Sequence, residues 1–177
     1  PAAHQALAAA LALATALLFY LILRALRFEA RDAGAVAVLA LLFPWASGVR
    51  LWPTGSLNNF AVLMLFGGLL IGLRTLRVPG ARGVALHVPA TLLLVASVLT
   101  YDATAIAAAM LWPSYVWLGG WRHAAPRAAM DVAAVGAAAL WTREHTHKHI
   151  ADFSDQLAHV PDLVRDGLDL IAATLLP

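Results

Sequence analysis

The chain has 177 residues, of which 62% are hydrophobic and 12% charged, more apolar surface than a soluble domain of this length can bury in one core, so the surplus must face lipid. It contains no cysteine, which excludes disulfides, thiolate metal ligands, cysteine-ligated iron–sulfur clusters and thiol nucleophiles. A net charge of only +2, with arginines standing mostly at the ends of apolar runs, gives no basis for nucleic acid as a partner.

The first apolar run, Ala6 to Ala25, carries Arg24, Arg27 and Arg31 at its far end, the reverse of the charged amino end of a signal peptide, and is expected to be a retained spanning helix. Further runs lie at roughly 34–52, 59–76, 84–100, 103–119 and 125–141, each about 17 to 20 residues, the length that crosses the hydrocarbon core as a helix. The stretch from Val84 to Gly119 is too long for one span. It is divided at Thr100 to Thr104, where Asp102 can cap the following helix and Tyr101 can sit at headgroup level.

Six spans place the clusters Arg24/Arg27/Arg31, Arg74/Arg77/Arg82 and Arg122/Arg127 on one side, which the positive-inside rule makes cytoplasmic. The expectation is therefore an all-α, polytopic membrane helix bundle over residues 1–142, in a bacterial cytoplasmic membrane, with both termini outside. A five-span arrangement would strand Arg122 and Arg127 on the outer face.

Trp52, Trp121 and Trp141 fall at expected interfaces, while Trp45, Trp112 and Trp117 lie deeper, beside Pro44 and Pro113. Those prolines and Pro89 are expected to bend their spans. Gly68 and Gly72 form a GxxxG in the third run, a small face that allows close helix approach, either within the bundle or to another subunit.

Ionisable groups at membrane depth are costly and tend to mark function. Asp131 is the carboxylate placed well inside a span, and Arg127 four residues earlier shares its face, so an intramembrane ion pair is expected, with a proton or cation site as the second reading. His87, counted from a span start at Val84, falls in the first turn and is expected at the interface. The chain shows no paired carboxylates, nucleophile–base set, phosphate loop or bis-histidine helix pair, so a non-catalytic role is favoured.

After the last run comes Arg143-Glu144-His145-Thr146-His147-Lys148-His149, followed by Asp152. On a helix His145, His149 and Asp152 share one face and make a candidate zinc or copper set, against the simpler reading of a solvated histidine cluster. The tail from Ile150 to Leu176 repeats apolar residues at three- and four-residue steps, an amphipathic helix divided at Pro161. Its polar side carries five aspartates against Arg165, which suits packing on protein rather than on anionic lipid. Residues 143–177 thus form an extramembrane segment. The functional expectation is a non-catalytic subunit or accessory protein of a larger membrane complex, with the bilayer and other membrane subunits as partners; the alternative is a small transporter or channel component for a cation or small solute.

Overall fold

The computed structural model describes residues 2–42 and 55–146, all of whose regular structure is helical. The elements are α1 (Ala2–Ala25), α2 (Ala30–Leu42), α3 (Gly55–Thr75), α4 (Gly80–Thr100), α5 (Thr104–Ala109) and α6 (Trp112–Thr146), and Pro1–Arg143 form one compact unit. Among the described residues three helical stretches, Gln5–Ala25, Leu57–Thr75 and Gly80–Thr100, are long and apolar enough to cross a membrane, matching the first, third and fourth expected spans. In lipid a helix satisfies its own backbone polar groups, and this is why such runs become helices. The second expected span begins as α2; its remainder, with Pro44, Trp45, Arg50 and Trp52, and the tail with its amphipathic pattern lie outside the described residues.

The direction of each helix follows from its contacts. Phe19 stacks on Phe66 at 5.6 Å, Ile22 packs against Leu69, Leu70 and Leu73, and Arg24 shares a cavity with Arg74, so α1 and α3 run the same way. In α4 the order reverses. Ser97 reaches Ala61, Leu94 lies against Gly68 and His87 against Gly72, which makes α3 and α4 an antiparallel hairpin.

The chain after Tyr101 then passes through the bundle and back. Ala108 packs with Leu94 and Val98, Tyr115 with Leu73 and Leu76, then Ala124 with that second group and finally Val135 and Ala138 with the first. The turn expected at Tyr101 and Asp102 is present, but Ala103 rather than Asp102 stands at the N-cap of α5, with no side-chain cap, and the Asp102 backbone carbonyl accepts the Ala105 amide. The stretch 103–119 is not one continuous helix, however. It is α5, a turn at Met110 and Leu111, and the first segment of α6. Pro113, expected to bend a span, stands instead in the first turn of α6, where its missing amide costs nothing. Pro89 does lie inside α4.

Gly120 interrupts α6 with φ 69° and ψ 162°, a conformation that needs glycine. Tyr115 and Asp131 stand 16 residues apart, which a straight helix would separate by about 24 Å. Their side chains touch because Gly120 folds residues 121–146 back on residues 112–119.

The buried residues of α4 are Gly83, His87, Ala90, Thr91, Leu94, Ser97 and Val98, while Leu86, Val88, Leu92 and Leu99 face outward. This is the inverse of a soluble amphipathic helix: mostly small and polar side chains turn in and large apolar ones turn out, the pattern of a helix that faces lipid.

Helix α1 ends in a Schellman turn, with the Phe28 amide on the Leu23 carbonyl at 3.0 Å and the Arg27 amide on the Arg24 carbonyl at 3.1 Å. The left-handed position that usually holds glycine is occupied by Arg27 at φ 73°. Replacing it, Arg27→Gly, is expected to stabilise the unit by about 1 kcal/mol by removing that backbone strain. The measurement is the midpoint of thermal unfolding in detergent; an unchanged or lower midpoint would mean that the turn stores no strain.

Candidate functional site

Four of the most deeply buried polar side chains among the described residues converge where α3, α4 and both segments of α6 meet. His87, on the inward face of α4, is fully buried, as is Tyr115, while Arg127 and Asp131 are 1% and 2% exposed. His87 lies deeper than its expected interfacial position because α4 begins at Gly80, one turn before the run of large apolar residues.

Asp131 is the centre. Its Oδ2 accepts the Tyr115 hydroxyl at 2.9 Å and stands 2.9 Å from His87 Nε2, and its Oδ1 accepts the Thr91 hydroxyl. An ionised carboxylate is an acceptor only, and three donors on two oxygens replace most of the hydration it gives up. The His87 and Tyr115 rings meet edge to face at 5.5 Å, which keeps both groups aimed at the same oxygen.

The other ring nitrogen, Nδ1, is 3.1 Å from Thr75 Oγ1, and that hydroxyl is also 2.7 Å from the Gly72 carbonyl. One hydroxyl proton serves one acceptor at a time. Directed at Nδ1, it fixes the tautomer that carries its proton on Nε2 and donates to Asp131. Thr75, His87, Asp131, Tyr115 and Thr91 thus form one connected set spanning three helices.

Arg127 shares a face of α6 with Asp131, as expected, yet the two turn to different partners in place of the direct ion pair. The guanidinium donates to the His123 carbonyl at 2.6 Å and to the Thr75 and Val78 carbonyls at 3.0 and 2.9 Å. Thr75 ends α3 and its carbonyl also accepts the Val78 amide, so Arg127 braces the turn that follows the negative end of that helix. Its Nε has no partner. The side chain that faces the Asp131 carboxylate in place of Arg127 is His87, 2.9 Å away.

Two glycines make this closeness possible. A Cβ on Gly72 would stand 2.6 Å from the Tyr115 hydroxyl and 3.0 Å from His87 Cε1, and one on Gly83 would collide with the Val78 carbonyl and the Arg127 guanidinium. In the Gly68/Gly72 pair the small face is used inside the chain, since Gly68 meets Leu94 and the Ala90 carbonyl.

Of the expected metal set, His145 is exposed near the end of α6, while His149 and Asp152 lie outside the described residues. Among the described residues no group of three histidine or acidic side chains could hold a metal ion.

Gly72→Ala is expected to cost about 1–3 kcal/mol, because the methyl must push Tyr115 or His87 off Asp131. Pairing it with Tyr115→Phe, which removes the hydroxyl it strikes, should recover part of that loss; additive unfolding losses would show that the clash lies elsewhere. No family model matches the chain, and no curated protein and no solved structure is similar to it.

Proposed function

We propose that the chain is a non-catalytic, multi-pass component of a larger membrane assembly, and that the His87–Asp131 cluster is the polar clasp that holds its helices in register. The supporting observation is closure. Asp131 has three donors, His87 has a partner at each nitrogen, and both are sealed from solvent, so no substrate could reach either group without the helices parting. A satisfied network of this kind specifies one arrangement of helices in a medium that otherwise favours many.

The directions of the helices support six crossings. α1 and α3 run the same way, which fits a return crossing that α2 begins, and the passage from Ala108 to Leu118 and back to Ala138 fits two more. Residues 121–146 rise about 39 Å, enough for the core, and the Arg127 and Asp131 that lower their hydropathy both face inward. With the arginine-bearing ends cytoplasmic, both termini lie outside a bacterial inner membrane. Outward-facing Trp117, Ile106, Leu39, Leu92 and Leu13 supply the surface for lipid and for neighbouring subunits.

A second reading, a cation or proton path, draws on the imidazole–carboxylate pair at membrane depth. Asp131→Asn separates the two. As a clasp, the amide that replaces the carboxylate would accept fewer of the three donors and lower stability by about 3–5 kcal/mol, with no solute flux in liposomes from either protein. As a path, the wild type would carry a proton or cation current and the variant would lose it while keeping most of its stability.

The chain's lack of cysteine makes the topology directly testable. Ala81→Cys is expected to be shielded from a membrane-impermeant maleimide in intact cells, and Tyr101→Cys to be labelled. The reverse pattern, or labelling of both, would overturn the arrangement.

A further inference from the structure

The arginines at the ends of α1 and α3 do more than mark a side of the membrane. Arg24 and Arg27 from one helix end and Arg74 and Arg77 from the other line a single cavity of about 220 Å³, floored by Leu73, Leu76 and Leu118. Among the described residues none of the four is ion-paired. Four like charges facing one space repel one another, and an anion placed between them relieves that repulsion.

A second cavity, of about 490 Å³, adjoins the first and shares Arg27 and Leu118 with it. Its remaining lining is Leu26, Phe28 and Trp117, and Trp117 is 79% exposed. A charged compartment beside an apolar, aromatic one has the shape of an amphiphile. Both cavities lie at the ends of Gln5–Ala25 and Leu57–Thr75, stretches long and apolar enough to cross a membrane, where a span would meet the headgroups.

Arg27 is the hinge between them, and its backbone is the left-handed exception at the end of α1. Glycine would satisfy the Schellman turn without strain, so the structure holds a guanidinium at that point against the local preference.

We infer that these paired cavities bind an anionic phospholipid, its phosphate among Arg24, Arg27, Arg74 and Arg77 and an acyl chain against Phe28 and Trp117. Guanidinium groups suit phosphate because their paired N–H donors match two of its oxygens. The lipid source is favoured over a soluble phosphate because the arginine compartment opens onto the apolar one. The two cavities share no lining residue with the clasp at Asp131, so retention of lipid and stability of the clasp are read separately.

The test uses the full chain in phosphatidylcholine nanodiscs with and without phosphatidylglycerol, with native mass spectrometry counting retained lipid and a thermal midpoint read on the same samples. The wild type should retain one phosphatidylglycerol per chain. Arg27→Gly and Arg74→Gln should each weaken retention about fivefold, and the two together about 25-fold. Arg82→Gln removes the same charge from an exposed position outside the cavity and should leave retention unchanged. In phosphatidylcholine alone Arg27→Gly should still fold, with the raised midpoint expected of a relaxed turn. Equal losses for Arg82→Gln and Arg74→Gln would reduce the effect to general surface charge and overturn the site. Stabilisation by inorganic phosphate in neutral detergent, without lipid retention, would overturn the lipid assignment in favour of a soluble anion.

Discussion

A carboxylate buried inside an apolar helix bundle must be surrounded by donors, and much of this structure is arranged around meeting that demand at Asp131. The donors come from two helices: His87 and Thr91, one turn apart on α4, and Tyr115 from the first segment of α6. Removing any one leaves a charge short of partners where water cannot replace them, so the helices that carry them are coupled. With large apolar side chains turned outward on α4, polar contacts and close packing are what join its inner face to its neighbours.

The same demand explains the glycines and the break in α6. A tyrosine and an aspartate on one continuous helix at this separation would never meet, and Gly120 turns the chain so that they do. Gly72 then leaves the room in which the Tyr115 hydroxyl and the His87 ring lie side by side. Arg127 finishes the arrangement from the other direction. By taking the carbonyls of Thr75 and Val78 it secures the end of α3 from which Thr75 reaches His87.

Much of the fold was legible in the sequence, and the site was half legible. Apolar run length placed α1, α3 and α4, because a backbone in lipid has few alternatives to the helix. Asp131 and Arg127 stood out as charges within a run of alanines. Their partners did not, for two reasons. Span boundaries were set by where large apolar residues begin, which put the start of α4 at Val84 rather than Gly80 and moved His87 to the interface. And Thr75, Thr91 and Tyr115 are ordinary in a membrane helix until something across the bundle faces them. The available clue was periodicity read for polarity instead of hydrophobicity: Gly83, His87, Ala90, Thr91, Leu94 and Ser97 recur at helical spacing as a stripe of mostly small and polar side chains. The turn at Met110 and Leu111 had no such signal, since alanine, leucine and methionine on either side all favour helix.

Helix α4 shows how such a stripe determines pairing. At one end Ser97 is held 2.8 Å from the Ala61 carbonyl and within 3.0 Å of the Thr104 hydroxyl, which in turn lies 2.7 Å from the Tyr101 carbonyl. At the other end His87 and Thr91 are committed to α3 and α6. Between them the contacts are apolar, with Leu94 fully buried against Gly68. Sliding α4 by one turn along α3 would move it about 5.4 Å and break both polar ends at once, while the apolar middle would tolerate the shift. Register is therefore set by the few polar residues and adhesion by the many apolar ones. The outward leucines and valines of α4 take no part in either, which leaves that surface to be shaped by whatever surrounds the bundle.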